Sequence, residues 1–489
     1  MVKEKQLIRK SIFIFFILLP IINTLRNTWI KNIELLGISI LELINIIIIL
    51  FATILNIINL KRKQKSVFSL IIYTLLIIIY TIFHNLNILR FNSQIYIWTD
   101  INIVKETYYI IRSFYIPVLL LFVLIKNKDI FNKDFYLKVI KSLIIIISGS
   151  IVLLNVFKLS FATYDYNNTK FINYNVFNYY KSNESAKLLS TKGWFASGNE
   201  ISAILIMLLP INAALLIKEN KKFNIFLYIL QFLSMIIIGT KVSSFGAILV
   251  SIISITINVI SYLKKRIAFN YKLLISSVIC ILYFFISPVG TFYLKTKTPY
   301  YQSHDVYSEE LKILTAKKDI INYISNHLED FRIDKYFVYI YPIENDVDFW
   351  YEIALRDRNL NNDFRNLKTA IIKRVKQRNN NFGDTLFGFG YTSNFIELER
   401  DYIYQYYLFG ICGIIFIVPE IMVLFESGVY SITNLKKYKT SIGLLLLMSP
   451  LLGLVVAYFT GHVFGWISST YILCLVLALL YDKSIMIRK

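Results

Sequence analysis

The sequence predicts an all-α, polytopic membrane protein with about twelve transmembrane helices. About twelve apolar stretches of near membrane-spanning length recur along the 489 residues, short Lys-rich loops join them, and one 111-residue polar insertion, Thr291 to Asp401, interrupts them. Hydrophobic residues make up 56% of the chain and aromatic residues 16%, above the share an ordinary soluble domain carries.

A window of about 20 residues places spans at 11–25, 38–60, 67–84, 108–125, 139–157, 199–217, 223–239, 243–262, 272–290, 402–425, 441–459 and 465–481. Lys3, Lys5, Arg9 and Lys10 precede the first of them in the manner of a signal peptide, but no small-residue cleavage site follows Leu25 and further spans do. An uncleaved first span is expected. With a cytoplasmic N-terminus, the inside segments hold Lys61 to Lys65, Lys126 to Lys141, Lys218 to Lys222, Lys264 to Lys272, Lys436 to Lys439 and the tail Arg488-Lys489. The short outside connections, 239–242 and 460–464, carry almost no charge, so the positive-inside rule puts both termini in the cytoplasm and the large loop outside. The expected organisation is spans one to nine over 1–290 with an outer loop at 158–197, an extracellular loop over 291–401, and spans ten to twelve over 402–489 in the cell membrane.

The net charge of +22 does not argue for nucleic acid, because the basic residues are dispersed between apolar runs instead of forming one stripe. Cys280, Cys412 and Cys474 fall inside apolar spans without ligand-like spacing, so neither a disulfide framework nor a zinc site is indicated. No other metal-ligand cluster stands out, and no cofactor is expected.

Within the large loop, Arg356 to Arg378 carries eight basic residues against two acidic ones. Phe364, Leu367, Ile371 and Val375 recur at helical spacing, with Arg365, Lys368, Lys373, Arg374 and Lys376 on the other faces. A basic amphipathic helix of this kind serves either as a cover packed on its own loop or as a surface for an anionic head group.

Four places at the outer rim bear titratable or polar groups. Asn199 and Glu200 open the sixth span, where they fit a helix cap or a polar group entering the interface. Lys241 sits in a tight hairpin, Gly239-Thr240-Lys241, at the rim of the hydrocarbon, where snorkelling alone accounts for many lysines. Glu399, Arg400 and Asp401 directly precede the tenth span, in a position suited to capping and ion pairing as well as to catalysis. His462 lies in the outer turn between the last two spans. These groups are distant in sequence yet expected at one depth on one face. Cations there (Lys241, Arg365, Arg374, Arg400) suit a departing pyrophosphate, with Asn199 and Glu200 as further substrate-binding candidates, and a carboxylate (Glu399, Asp401) or His462 suits removal of a proton from an attacking hydroxyl.

The segments GWFASGNEISAILIMLLP (193–210), IIIGTKVSSFGAIL (236–249), LFGFGYTSNFIELERDYIYQYYLFGICGIIF (386–416) and TGHVFGWISSTYILCLVLAL (460–479), taken in order, resemble the O-antigen ligase and polysaccharide polymerase superfamily in its Gram-positive form. The resemblance implies a multi-span glycosyltransferase that takes a polyprenyl-pyrophosphate-linked glycan as donor and a second lipid-linked unit as acceptor at the outer face, with a chain-length regulator as a further candidate partner. Lys241 stands where many relatives carry an Arg, and Arg365 matches a loop Arg by its distance from Gly388-Phe389-Gly390-Tyr391. The His-Asn pair of many ligases is replaced by Glu399-Arg400-Asp401, which favours a polymerase over a ligase. A flippase for the same lipid-linked units is the alternative from another class, but no internal repeat of the kind many transporters show is seen.

Overall fold

The computed structural model describes residues 2–28, 34–35, 38–59, 64–91, 101–163, 190–219, 221–264, 269–290, 303–356, 360, 364–391, 396, 398–433 and 440–482. Most of the expected outer loop 158–197, the basic connections at 61–63 and 434–439, and the tail with Arg488 and Lys489 lie outside them. In chain order the described residues form α1 (Val2–Thr28), a two-residue antiparallel pair β1 (Glu34–Leu35) and β2 (Ile38–Ser39), α2 (Ile40–Asn59), α3 (Gln64–Ile88), α4 (Ile103–Lys126), α5 (Lys133–Val156), α6 (Gly198–Glu219), α7 (Lys222–Ile238), α8 (Lys241–Leu263) and α9 (Tyr271–Ile286). There follow α10 (Ser303–Ile313), α11 (Lys317–Asn326), α12 (Lys335–Ile340), α13 (Val347–Leu355), α14 (Phe364–Asn379), α15 (Gly383–Phe387), α16 (Asp401–Ile414), α17 (Val418–Thr433), α18 (Thr440–Phe459) and α19 (Ile467–Tyr481).

Among the described residues seven helical stretches are long and apolar enough to cross a membrane, and Leu43–Leu55, Lys222–Ile238, Tyr271–Ile286 and Ile467–Tyr481 are shorter apolar helices. The protein is therefore an all-α polytopic membrane protein. The chain divides into two compact units, one of Met1–Ile72, Ile111–Thr296 and Ile417–Lys489, the other of Tyr73–Ile110 and Lys297–Phe416.

In the first unit α6 is buried along nearly its whole length among α7, α8, α18 and α19. Pro210 removes one donor from its ladder, and neighbouring side chains supply hydrogen bonds to its backbone: Gln231 Nε2 donates to the Leu205 carbonyl at 2.9 Å and Ser449 Oγ donates to that of Met207. Asn212 Nδ2 donates to Gln231 Oε1 at 2.8 Å, so the Gln231 amide ties α7 to α6 through both a side chain and the backbone.

The second unit is organised around two places. Asp346, its side chain fully buried, caps α13 through the amide of Phe349, accepts from Tyr341 Oη at 2.7 Å, and binds Arg374 by two bonds of 2.7 and 3.0 Å and Arg378 at 3.1 Å. Burial alone pushes this carboxyl up, but hydrogen bonds from both arginines and the tyrosine outweigh it and hold the group well below the usual carboxylate range. The basic helix α14 is thereby braced on the acid, with Leu367, Ile371, Ile372 and Val375 fully buried beneath it.

The other place is the tenth expected span, which is not continuous. At Gly410 the backbone adopts φ 68°, ψ −175°, a conformation open in practice to glycine only. Around the break the carbonyls of Tyr407, Leu408 and Phe409 accept hydrogen bonds from outside the helix. The amides of Phe389 and Gly390 donate to the first two at 3.2 and 3.0 Å, and Tyr80 Oη of α3 donates to the third at 2.7 Å. Gly388 and Gly410 make room for this docking: a Cβ on the former would strike the Leu408 carbonyl, and one on the latter the Leu386 carbonyl. Past the break a short 3-10 turn, Ile415–Ile417, leads into α17.

Gly410→Ala is expected to destabilise the protein by about 3 kcal/mol, read as a lowered unfolding midpoint in detergent. Gly149→Ala, whose Cβ meets no atom within 4 Å, is expected to leave that midpoint unchanged or raised. Asp346→Asn is expected to weaken the loop by about 2 kcal/mol, seen as faster hydrogen exchange over 341–378 at pH 7. Because the folded-state pKa of Asp346 is depressed, its stabilisation is complete above the ordinary carboxylate value of about 4 and falls away below it. Unchanged exchange in the variant contradicts the brace.

Candidate functional site

At the head of α16, Glu399 is held between two cations of the first turns of α14: Arg365 Nε meets Oε2 at 2.5 Å and Lys368 Nζ lies 3.6 Å from Oε1. Arg365 and Lys368 share one face because they are three residues apart on a helix. Arg400 turns to the same helix, donating to Asn366 Oδ1 at 3.1 Å, and Asp401 opens α16 almost fully buried, where the helix N-terminus favours a carboxylate. Further along, Lys376 Nζ donates to Tyr406 Oη at 2.8 Å and lies 4.3 Å from the centre of that ring. Two cations thus hold Glu399 at this helix junction, while Arg400 and Lys376 are engaged by Asn366 and Tyr406. The Glu399 and Arg365 side chains are 27% and 29% exposed, so an incoming anion can compete for the guanidinium. Arg374, expected in the same cationic set, is engaged with Asp346 instead.

In the first unit Asn199 and Glu200 lie in the first turn of α6, but the cap is Ser197, whose Oγ accepts the Glu200 amide at 3.3 Å. Glu200 is buried. Ser202 Oγ and Thr240 Oγ1 are 2.7 Å apart, and Thr240 caps α8 through the Ser243 amide, so the N-termini of α6 and α8 lie side by side. Gly239, at φ 73°, makes the expected hairpin, and Lys241 begins α8 with its side chain exposed. His462, at φ 68°, turns Nδ1 to the Thr460 carbonyl at 3.0 Å, which fixes the proton on that nitrogen, and stacks on Trp466 at 5.2 Å. Among the described residues no three His, Cys, Asp or Glu side chains gather as a metal site.

Two features escape hydropathy. Arg112 lies in a π-helical turn, Ile111–Tyr115, inside α4, and donates to the Gly465 carbonyl of the His462 turn at 3.3 Å. His84 and Glu106, both fully buried in apolar helices, pair at 2.9 Å within the second unit. Arg112 and His84 fall inside expected spans, where an ionisable residue is rare and a signal in itself; Glu106 lies just before one, and the partnerships were not legible.

No curated protein and no solved structure matches the chain. The family described as O-antigen ligase like membrane protein matches residues 5–485, nearly all of the sequence. The chain accordingly belongs to the O-antigen ligase-like family of membrane proteins.

Proposed function

We propose that the protein polymerises polyprenyl-pyrophosphate-linked oligosaccharide repeat units into a capsule, an exopolysaccharide or another surface polysaccharide. The reading takes about twelve spans in the cell membrane, both termini in the cytoplasm and the 291–401 loop outside. Membership of the family supports glycan transfer as the class of reaction. The observation that carries the reading is the junction of α14 and α16, where Arg365 and Lys368 hold Glu399, and Arg400, the next residue, reaches Asn366 of α14.

In the proposed step the anomeric carbon of the growing glycan breaks its bond to the pyrophosphate oxygen and forms one to a hydroxyl oxygen of the acceptor unit. The hydroxyl proton passes to a base, and polyprenyl pyrophosphate leaves with the bonding electron pair. Arg365 and Lys368 meet the charge that develops on the leaving group, as does Lys241. When a phosphate oxygen takes the place of Glu399 on Arg365, that carboxylate is released to act as base, with Asp401 and His462 as the other candidates. Arg374, tied to Asp346, keeps α14 in position. The alternative within the family is transfer of finished glycan to another acceptor; the absence of a ligase-type His-Asn pair before α16 favours polymerisation.

Deletion of the chain is expected to leave single repeat units on lipid at the outer face. Full-length polymer retained on lipid would instead identify a ligase, and single units trapped on the cytoplasmic face a flippase. Arg365→Ala is expected to reduce polymer formation about 100-fold, and Lys241→Ala to reduce it in the same direction. Wild-type polymer from well-expressed variants removes those residues from the mechanism.

A further inference from the structure

The loop that fills the break in α16 is gripped by a second set of side chains. Along one face of α3, Tyr80, His84 and Asn87 follow each other at helical spacing. Tyr80 holds the Phe409 carbonyl, His84 Nδ1 lies 2.5 Å from the Phe387 carbonyl, and Asn87 Nδ2 donates to the Gly388 carbonyl at 2.7 Å and to Asp384 Oδ1 at 3.0 Å. On the other side His84 Nε2 meets Glu106 Oε1 at 2.9 Å, and the two Glu106 oxygens accept the Tyr391 amide at 2.8 and 2.9 Å.

The protons in this set can be counted. A carbonyl only accepts, so His84 Nδ1 carries hydrogen toward Phe387. One further proton must lie between Nε2 and Oε1, because two bare lone pairs would repel at 2.9 Å. Whether it sits on nitrogen or on oxygen, the pair has no net charge, which suits its full burial.

The grip reaches the candidate site. Tyr391 stacks on Tyr109, one turn past Glu106, with centroids 3.6 Å apart, and meets Tyr404 edge-on at 6.5 Å. Tyr404 lies in the first turn of α16, its amide bonded to the Arg400 carbonyl at 2.8 Å. Helix α14, with Arg365 and Lys368, is braced separately on Asp346.

We propose that His84 and Glu106 are a positioning pair for glycosyl transfer: joined by one shared proton, they fix the backbone at Phe387 and Tyr391, and through Tyr391 and Tyr404 they set the Glu399–Asp401 head of α16 against the cations of α14. This rests on the transfer reading above. Neither residue touches substrate. Their loss moves the carboxylates more than the cations, so turnover suffers while donor binding is kept.

The test compares Glu106→Leu, His84→Phe and Glu106→Gln in the full-length purified protein, with two independent readouts. A Gln carbonyl still accepts the Tyr391 amide and its amide still donates to His84 Nε2, so Glu106→Gln is the conservative rescue. Hydrogen exchange over 386–391 is expected to quicken at least 10-fold in Glu106→Leu and His84→Phe and to stay within about 3-fold of wild type in Glu106→Gln. With lipid-linked donor, kcat is expected to fall at least 10-fold in the first two variants with KM changed less than about 3-fold, and to stay near wild type in the third. If Glu106→Leu does not fold, His84→Phe and Glu106→Gln carry the same comparison. Unchanged exchange in the disrupting variants, a loss confined to KM, or a Gln variant as impaired as the Leu variant overturns the pair's role. If the wild-type protein transfers no glycan while exchange behaves as expected, the transfer reading fails and the grip on the loop stands.

Discussion

A helix broken inside an apolar span leaves carbonyls that no water can reach, and much of the second unit exists to satisfy them. Beside the kink at Gly410 the carbonyls of Tyr407, Leu408 and Phe409 are reached by donors from outside α16: the amides of Phe389 and Gly390 and the hydroxyl of Tyr80. Glycines at 388 and 410 are required because backbone lies directly against backbone. The loop from Asp384 to Tyr391 is consequently no idle connection: its own carbonyls are read in turn by His84 and Asn87, and its last amide is read by Glu106. The same docking holds the head of α16, with Glu399 and Asp401, at one place beside α14.

Electrostatics divides the basic loop into a brace and a working surface. Asp346 is fully buried, carries two guanidiniums and a tyrosine hydroxyl, and caps a helix besides; such a group is saturated and orders the fold around it. Glu399 has the same kind of partners but stands partly in solvent, where an ion pair is worth little and can be exchanged. An anion of higher charge density than a carboxylate, such as a pyrophosphate, displaces Glu399 from Arg365 far more readily than it displaces Asp346 from Arg374. This difference in burial is why the head of α16, and not the middle of α14, carries the proposed chemistry.

Periodicity made α14 legible: Leu367, Ile371 and Val375 recur at helical spacing and are all buried. The Gly239–Lys241 hairpin was legible from its glycine between two apolar runs, and the capping position before α6 was located to within two residues, with Ser197 taking the role expected of Asn199 or Glu200. The break in α16 was not, because Tyr407 to Phe416 reads as an uninterrupted apolar run and hydropathy carries no record of φ. Pairings across long separations were equally hidden. The Glu399–Asp401 run suited ion pairing without naming a partner, and the fold supplies distant ones: Glu399 meets Arg365 and Lys368, while Arg400 meets Asn366. His84 and Glu106 were not singled out by the sequence, and only the fold brings them within hydrogen-bonding distance.

The most direct measurement is to reconstitute the purified protein in vesicles with a polyprenyl-pyrophosphate-linked repeat unit as the only glycan, and to follow glycan length and lipid product together. Polymerisation predicts growth in whole repeat units, with one polyprenyl pyrophosphate released for each linkage formed. Movement of intact lipid-linked units across the bilayer without growth, or release of polyprenyl monophosphate, would contradict it.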